Sequence, residues 1–367
     1  IALFWEGRDA SSATYTFTDL QDKAARFANF LLAQGVKPGD KVAGLLPRNV
    51  ELLVVVFATW RIGAIYQPLF TAFGPKAIEH RLNSSGAALV VTDAVNRPKL
   101  NEVNDCPAIV TVAGAKGQGL VRGDFSFWAE LDNYPAVCEP VLLSGEDPFL
   151  LMFTSGTTGP AKPLLVPLKA IVAFQSYTRD AVDLRPEDSF WNLADPGWAY
   201  GIYFGITGPL SMGHPITLYD GPFTVESTCR VIKKYGITNL TGSPTAYRML
   251  IAAGEAFSSK IKGQLRAVSS AGEPLNPEVI RWFGEELNVT IHDHYGQTEV
   301  GMVLCNHHGL EHPVHMGAAG FASPGHRIVV LDDNYQELPV GQPGILAVDR
   351  SQSPMCWFGG YEGFTTK

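Results

Sequence analysis

The sequence is poor in charge for a chain of its length. Of its 367 residues, 17% are charged and 46% are hydrophobic, whereas about 25% of residues are charged in an average globular protein. The formal net charge of −8 argues against a nucleic-acid-binding protein, because such proteins contact phosphates with clustered Lys and Arg. It does not exclude a phosphorylated small molecule, which a local site can hold. The hydrophobic content excludes disorder as the main state.

Paired cysteines and long hydrophobic runs are also missing. The five cysteines are odd in number and far apart, and no Cys-x-x-Cys pair occurs, which disfavours a zinc ribbon or a disulfide framework. Reduced thiols are usual in the cytoplasm, so we expect a cytoplasmic protein. The longest apolar run, from Leu52 to Trp60, is far shorter than the about 20 residues that span a bilayer. We therefore expect neither a membrane span nor a signal peptide.

Helical and strand patterns alternate along the chain, which is typical of parallel sheets with helices on their faces. We predict an α/β fold with two stacked α/β subdomains, mainly parallel sheets flanked by helices, and a small antiparallel β module near the C-terminus. Gly- and Pro-containing turns within residues 114–119 and 135–140 indicate a seam. The predicted division is a first subdomain over residues 1–140, a second with a phosphate loop over 141–300, and a β-barrel-like module over 301–367.

The individual elements follow from periodicity and from start and stop signals. Thr18 and Gln21 have the spacing of a capping box and Gly35 is a helix stop, which predicts a helix over residues 19–34. Further helices are predicted over residues 51–62, 77–83, 168–182, 224–235, 246–253 and 277–287. Strands are predicted over residues 41–46, 88–92, 149–153, 216–219, 266–269, 290–293, 328–331 and 345–348.

The most informative segment runs from Thr154 to Lys162, directly after an apolar strand pattern. It contains four hydroxyl side chains, two glycines and a lysine. Glycines let backbone N–H groups approach an anion, hydroxyls add donors and lysine adds charge, so the segment favours a polyphosphate. A Walker A loop is disfavoured, because the glycines are too close together and no Ser or Thr follows the lysine.

This segment resembles the phosphate loop of the adenylate-forming superfamily, which includes acyl-CoA synthetases, luciferases and peptide-synthetase adenylation domains. The family motif reads Thr-Ser-Gly-Ser/Thr-Thr-Gly and then Pro-Lys-Gly, and this chain departs from it at Pro163, which replaces the last glycine. Three further segments agree in order. Residues 195–201 resemble the Gly-Trp segment of acetyl- and medium-chain acyl-CoA synthetases, residues 271–274 the Gly-Glu-Pro segment beside adenine, and residues 293–299 the Tyr-Gly-x-Thr-Glu segment.

The resemblance implies which residues bind ATP. They lie in the phosphate loop, in the segment beside adenine and in the segment that ends at the Thr-Glu pair: Thr154, Ser155, Gly156, Thr157, Thr158, Gly159, Lys162, Gly272, Glu273, Pro274, Asp293, His294, Tyr295, Gly296, Gln297 and Thr298. Glu273 is also plausible as a residue that starts a helix.

The resemblance also implies a reaction and its catalytic residues, which are Thr298, Glu299 and Lys162. The Thr298 hydroxyl would reach the α-phosphate, and Glu299 would supply a hard oxygen ligand to Mg²⁺. Attack of a carboxylate on the α-phosphate of ATP needs mainly positioning and electrostatic stabilisation. The implied activity is that of an ATP-dependent carboxylate–CoA ligase, which forms acyl-AMP, releases pyrophosphate and transfers the acyl group to the CoA thiol. ATP, Mg²⁺, CoA and a small carboxylic acid are the expected cofactors and substrates.

Four residues are predicted to form the acyl pocket: Trp198, Tyr200, Gly201 and Gly296. In acetyl-CoA synthetases a tryptophan precedes Gln-Thr-Glu and closes the pocket around two carbons, whereas this chain has Gly296 there, as medium-chain and aryl-acid relatives do. Each further buried carbon is worth about 0.8 kcal/mol, and we expect an acid larger than acetate, with about four to ten carbons or an aromatic ring. An ordinary core position is the competing interpretation of Trp198.

Two other functions stay open at this point. The chain could be an adenylation domain that loads a carrier protein, or a non-catalytic ATP- or acyl-binding relative. In the family, a Tyr-x-Thr-Gly-Asp segment and a small C-terminal lid domain with a reactive-site lysine follow the region matched here. We therefore expect the chain to be the large N-terminal domain of a longer protein.

Histidines are concentrated near the C-terminal end, since seven of the nine lie after residue 290. Zinc is conceivable for such a cluster, but no cysteine or second carboxylate has matching spacing. The resemblance instead favours contact between His294 and the nucleotide.

Overall fold

The structure is a computed structural model and describes residues 1–154 and 160–363. Its strands are β1 (Leu3–Gly7), β2 (Ser12–Tyr15), β3 (Lys41–Leu45), β4 (Ile65–Pro68), β5 (Leu89–Asp93), β6 (Ala108–Val112), β7 (Phe125–Ser126), β8 (Pro148–Phe153), β9 (Pro163–Pro167), β10 (Phe190–Asn192), β11 (Ile216–Asp220), β12 (Asn239–Gly242), β13 (Ala267–Ala271), β14 (Ile291–Gln297), β15 (Gly301–Cys305), β16 (Phe321–Ala322), β17 (Ile328–Leu331) and β18 (Ile345–Val348).

Its α-helices are α1 (Phe17–Ala33), α2 (Val50–Arg61), α3 (Pro75–Ser85), α4 (Phe127–Asn133), α5 (Ala170–Ser176), α6 (Ala199–Gly201), α7 (Gly208–Ser211), α8 (Val225–Lys234), α9 (Pro244–Ile251), α10 (Glu255–Ile261) and α11 (Pro277–Trp282). Turns of π-helix at Tyr177–Ala181, Ile202–Thr207 and Phe283–Leu287 extend α5, α6 and α11. Within the two described ranges, no helix combines the length and the apolarity that crossing a membrane requires.

The strands form two large sheets and one small sheet. The first large sheet has the order β7-β6-β5-β3-β4-β8-β9, and only β8 and β9 pair antiparallel in it. The second has the order β16-β15-β14-β13-β12-β10-β11-β1-β2, with antiparallel pairs at its two ends only. β17 and β18 pair antiparallel. The predicted architecture of two largely parallel, helix-flanked sheets and a small antiparallel one is confirmed.

Parallel sheets covered by helices on both faces need strands that are apolar throughout. Accordingly, every residue of β4 and β12 is buried, and the buried core continues through α1 and α2 on the first sheet. The predicted helices and strands are all present to within a few residues. The strands missed by the sequence analysis, among them β1, β10 and β12, span two to five residues, and periodicity alone does not distinguish such short segments from other buried structure.

The first helix starts two residues earlier than predicted. Thr16, not Thr18, is the N-cap: its hydroxyl accepts from the Asp19 backbone N–H at 3.0 Å, and the Asp19 carboxylate accepts from the Thr16 N–H at 2.8 Å. Aspartate therefore fills the position for which the sequence analysis required Glu or Gln. The predicted stop is correct, since Gly35 has φ +83°.

Sheet membership does not follow the predicted boundaries at residues 140 and 300. β1 and β2 belong to the second large sheet, although they come first in the chain, and β8 and β9 belong to the first. β15 and β16, which lie beyond residue 300, extend the second sheet. The two sheets are thus linked by exchanged strands, and the three-part division stays a prediction.

Candidate active site

A cavity of about 860 Å³ lies between the end of β8 in the first large sheet and the carboxyl ends of β10, β12, β13 and β14 in the second. Carboxyl ends of parallel strands meet at one edge of a sheet, where α/β proteins usually bind ligands. The volume is at the upper end of the roughly 300–1,000 Å³ typical of small-molecule sites. A site for a ligand as large as a nucleotide with a second group is therefore feasible.

The cavity brings together most of the residues that the sequence singled out. Its walls include Thr154, Lys162, Trp198, Tyr200, Gly272, Glu273, Gly296, Gln297, Thr298 and Glu299. Five predicted residues are described but do not line it: Gly201, Pro274, Asp293, His294 and Tyr295. The predicted loop residues Ser155, Gly156, Thr157, Thr158 and Gly159 lie outside the described residues.

The two ends of the phosphate-loop segment are hydrogen-bonded to each other. The Thr154 N–H donates to the Lys162 carbonyl at 3.1 Å, and the Lys162 N–H donates to the Thr154 hydroxyl at 3.2 Å. Pro163 follows as the first residue of β9, where it pairs with Phe153. Proline is tolerated at the first position of a strand, so its replacement of the family's glycine fits the start of a hairpin arm. Lys162 is held at the cavity wall by this hairpin.

Glu299 follows the end of β14 and is hydrogen-bonded to a residue far along the chain. The Tyr361 hydroxyl donates to Glu299 Oε1 at 2.7 Å, and the Lys162 ammonium lies 5.1 Å from the centre of the Tyr361 ring. Burial and the hydrogen bond to Glu299 raise the pKa of Tyr361 to about 12, so the phenol keeps its proton and acts as the donor. One side chain thus contacts both charged residues of the predicted catalytic set.

The backbone of Thr298 is fixed from beneath. The Tyr203 hydroxyl donates to the Thr298 carbonyl at 3.1 Å, and the Tyr203 ring stacks on Phe174 with centroids 4.5 Å apart. Tyr203 is fully buried, which limits its freedom to move. Thr298 and Glu299 therefore lie in a turn whose position is set by contacts with the core.

Glu273 lies on the exposed segment after β13, and its carboxylate is tied to α9. The Thr245 hydroxyl donates to it at 2.8 Å and Arg248 at 3.1 Å. These bonds hold the segment that borders the cavity. The alternative interpretation, in which Glu273 starts a helix, is wrong, since α11 begins at Pro277 with Asn276 as its N-cap.

Part of the cavity wall is aromatic and apolar, and it consists of Trp198, Ala199, Tyr200, Phe204 and Met302. Trp198 is 38% exposed and packs against two phenylalanines that follow β4, Phe70 at 5.4 Å and Phe73 at 5.6 Å between ring centroids. A cavity wall therefore describes Trp198 better than an ordinary core position does.

Behind this wall runs a chain of buried hydrogen bonds whose direction can be deduced. His294 Nε2 lies 3.1 Å from the Asn306 carbonyl, which can only accept, so Nε2 carries the proton. His294 Nδ1 then accepts from the Tyr177 hydroxyl at 2.8 Å, and Tyr177 accepts from the Tyr200 hydroxyl at 3.0 Å. Burial lowers the pKa of His294 to about 3, so the ring is neutral. The His294 side chain fixes Tyr200 instead of lining the cavity.

Two glycines of the predicted acyl pocket are required by the backbone. A Cβ at Gly201 would lie 2.1 Å from the Asp195 carbonyl oxygen, and one at Gly296 would lie 2.1 Å from the Gly301 carbonyl oxygen. Gly296 lies at an irregularity in the pairing of β14 with β15, where the two backbones approach closely. Gly296 was expected to leave space for a larger acid, but the close approach of the two backbones is a separate reason for a glycine at this position.

Several cavity residues were not identified from the sequence. Tyr203 and Phe204 lie three and four residues after Tyr200 on the same helical segment, so helical spacing could have indicated them. Asp195 lines the cavity and forms an ion pair with Arg48 at 3.4 Å; burial raises its pKa although Arg48 opposes this. Tyr361 carried no sequence signal, since 62 positions separate it from Glu299.

No group of three or more His, Cys, Asp or Glu side chains that could hold a metal occurs in residues 1–154 and 160–363. Mg²⁺ does not need such a group, because it commonly takes one or two carboxylates together with waters and substrate phosphates. Glu299 is a carboxylate at the cavity wall, and its Oε1 already accepts one hydrogen bond while carboxylates offer about four lone-pair positions. The donor set therefore fits a single protein ligand to Mg²⁺.

A fold of this kind with this cavity is found in a known class of enzymes. The family model described as AMP-binding enzyme matches residues 1–361. The chain therefore belongs to the AMP-binding enzyme family, as the sequence motifs predicted.

Curated relatives within the family are acetyl-coenzyme A synthetases. That of Bacillus subtilis is 33% identical over 361 residues, which cover 97% of this chain and 62% of the relative. That of Pseudoalteromonas translucida is 33% identical over 330 residues, which cover 83% and 51%. The chain thus spans between about half and three fifths of the length of these relatives.

Solved structures agree in fold. An acyl-CoA synthetase from Brucella canis is 55% identical, with a TM-score of 0.96 over 99% of this chain and 66% of that one. An anthranilate CoA ligase, solved in complex with anthranoyl-AMP, has a TM-score of 0.87 over 96% of this chain and 67% of that one. At 23% identity, the second similarity shows the fold alone.

We predict that Gly296→Ala destabilises the protein by roughly 1–3 kcal/mol, because its Cβ must displace the Gly301 carbonyl. Gly284→Ala is the matched control, since a Cβ there meets nothing within 4 Å and alanine suits a helical position. Urea unfolding of the three proteins measures the difference. Equal stability of Gly296→Ala and the wild type would show that the backbone does not require this glycine.

We predict that stability falls as the pH falls from about 6.5 towards 3. The folded protein keeps His294 neutral while the unfolded chain binds its proton near the ordinary pKa of 6.5, so protonation favours unfolding. Between pH 7 and pH 5 this residue should account for about 2 kcal/mol. Urea unfolding at both pH values should show that His294→Asn, although less stable at pH 7, loses less stability than the wild type. An equal loss in both proteins would contradict the assignment.

Proposed function

We propose that the chain carries the adenylating site of an ATP-dependent carboxylate–CoA ligase, which converts an acid into acyl-AMP and then into acyl-CoA. One observation supports this most directly: a single cavity is lined by Lys162, Thr298 and Glu299 and also by an aromatic wall of Trp198, Tyr200 and Phe204. Charged and hydroxyl groups suit phosphates, and an apolar wall suits an acyl chain. The two substrates of an adenylation would then meet between them.

The proposed chemistry assigns a role to each of the three residues. A carboxylate oxygen of the acid attacks the α-phosphorus of ATP, and the bond from that phosphorus to the bridging oxygen breaks, which releases pyrophosphate. The Lys162 ammonium and the Thr298 hydroxyl stabilise negative charge that develops on the phosphoryl oxygens. In the second step the CoA thiolate attacks the acyl carbonyl and AMP leaves. CoA is the proposed acceptor because the relatives are acetyl-coenzyme A synthetases.

Glu299 is the residue proposed to hold Mg²⁺, through the carboxylate oxygen that does not accept from Tyr361. The ion, when bound, neutralises charge on the phosphates. This chain's own contribution is to fix the carboxylate, which the buried Tyr203 does through Thr298 and Tyr361 does directly.

The proposed acid is larger than acetate, either medium-chain or aryl. The support is the apolar part of the cavity wall, which contains the small Ala199 together with Trp198, Tyr200, Phe204 and Met302. Each carbon buried there is worth about 0.8 kcal/mol. The acetyl-CoA synthetase relatives leave acetate as the competing substrate.

A cytoplasmic location remains the proposal for this protein, since all five cysteines are free thiols.

We predict that acid-dependent pyrophosphate release requires ATP and Mg²⁺ and falls by about 10²-fold or more in Glu299→Gln, because an amide cannot replace a charged ligand of a hard cation. The assay mixes the protein with ATP, MgCl₂ and a panel of acids and measures pyrophosphate. Glu278→Gln is the matched control, since Glu278 is exposed on α11 and does not line the cavity.

The outcomes of this assay separate the functions considered. Pyrophosphate release with later acyl transfer to CoA supports the proposal, whereas transfer only to a carrier-protein pantetheine would identify a carrier-loading enzyme. ATP binding without pyrophosphate release on any acid would identify a non-catalytic relative. Undiminished release in Glu299→Gln would overturn the role of Glu299.

We predict that acids of about four to ten carbons, or benzoate, give a higher kcat/KM than acetate, because of the apolar wall. Ala199→Leu should reverse this order by occupying the space beside Trp198, with about 10–200-fold lost per excluded methylene. Ala256→Leu adds the same atoms on the exposed face of α10 and should leave the order unchanged. Preference for acetate in the wild-type protein would overturn the proposed acid size.

A further inference from the structure

Tyr361 is the side chain that contacts two of the proposed catalytic residues from outside the recognised motifs. Its hydroxyl donates to Glu299 Oε1 at 2.7 Å, and its ring lies 5.1 Å from the Lys162 ammonium. It also lines the cavity. Neither the phosphate loop nor the Thr-Glu segment contains it, so the motifs assign it no role.

The segment around Tyr361 is attached to the helical core on one side and to the first large sheet on the other. Trp357 is 3% exposed, and its ring packs edge-on against Phe174 of α5 and Tyr203 of the π-helical turn after α6. On the other side, the Glu362 N–H donates to the Pro163 carbonyl at 2.9 Å, at the start of β9 in the first sheet. The Glu362 carboxylate also pairs with Lys41 at 3.3 Å. The backbone on both sides of Tyr361 is therefore held in place, which keeps its side chain within hydrogen-bond reach of Glu299.

We propose that Tyr361 is a positioning residue for the metal-binding carboxylate: its hydroxyl occupies Glu299 Oε1 and directs Oε2 towards Mg²⁺ on the phosphates. This rests on the proposed function, in which Glu299 holds the ion. Hydrogen bonds from outer residues fix the orientation of metal ligands, and their loss typically costs about 10–100-fold in metal affinity. The ring has a separate role beside Lys162, and a phenylalanine would keep it.

Tyr361 can contribute to ATP binding in two ways, one that depends on Mg²⁺ through its hydroxyl and one that does not, through its ring. The proposed role of the hydroxyl runs through Glu299, so we expect its removal to weaken ATP binding when Mg²⁺ is present and not when Mg²⁺ is absent. A general loss of structure would instead weaken ATP binding under all conditions. Tyr361→Phe removes the hydroxyl and retains the ring beside Lys162, so it tests the first contribution alone.

The experiment titrates ATP into the protein by calorimetry, once with MgCl₂ and once with EDTA. We expect Tyr361→Phe to bind ATP about 10-fold more weakly than the wild type with MgCl₂ and equally well with EDTA. Tyr235→Phe is the matched control, because Tyr235 donates to the Trp5 carbonyl far from the cavity and should bind as the wild type does. Equal weakening of Tyr361→Phe in both buffers would assign the hydroxyl a purely structural role and overturn the proposal.

Glu299→Gln, measured in parallel, distinguishes failure of this proposal from failure of the proposed function. If Glu299→Gln loses the Mg²⁺-dependent part of the ATP affinity while Tyr361→Phe keeps it, only the role of Tyr361 is overturned. If Mg²⁺ does not strengthen ATP binding to the wild type, or Glu299→Gln changes nothing, the metal role of Glu299 fails, and the assignment of Tyr361 fails with it.

Discussion

The candidate site depends on the direction of the parallel strands. β10, β12, β13 and β14 run in the same direction, so the segments that follow them all emerge at one edge of the second sheet. From the other sheet, Thr154 at the end of β8 and Lys162 before β9 line the same cavity. Residues separated by more than a hundred positions, such as Thr154 and Thr298, thereby line one space. Any change in the order of these strands would disperse the polar groups that the proposed chemistry needs.

Tyrosines position groups on both the polar and the apolar parts of the cavity wall. The buried Tyr203 donates to the Thr298 carbonyl, and the half-buried Tyr361 donates to the Glu299 carboxylate. On the apolar part, Tyr200 donates to Tyr177, which donates to His294. A buried tyrosine combines extensive apolar packing with one directed hydrogen bond, so it can orient a functional group from within the core. Thr298, Glu299 and Tyr200 are thus positioned by hydrogen bonds with tyrosines that pack in or against the core.

Close backbone contacts constrain two positions of the predicted acyl pocket. Gly201 and Gly296 each lie so close to a backbone carbonyl oxygen that a Cβ would collide with it. A glycine at such a position is needed by the backbone, so its presence does not by itself indicate space for a larger substrate. Side chains that face the cavity, such as Ala199 and Phe204, are the better guide to the size of the acid.

The sequence by itself determined the fold class, the family and the residues of the local motifs. Apolar segments that alternate between helix and strand patterns indicate a sheet buried between helices. The residues of a motif such as 293–299 lie within a few positions of each other, so the motif can be recognised from the sequence alone. The sequence did not determine that β1 joins the second sheet while β8 joins the first, because pairing between distant strands leaves no local periodicity.

Only the tertiary structure decided which side chains face the cavity and which support it from behind. His294 belongs to a recognised motif, yet its ring is bonded to Tyr177 and Asn306 within the core, because within this motif only the residues from Gly296 onward line the cavity. Tyr361 belongs to no recognised motif, yet it contacts Glu299 because the segment after β18 returns to the turn that follows β14. Contacts between residues far apart in sequence arise from packing, and for that reason the sequence alone could not supply them.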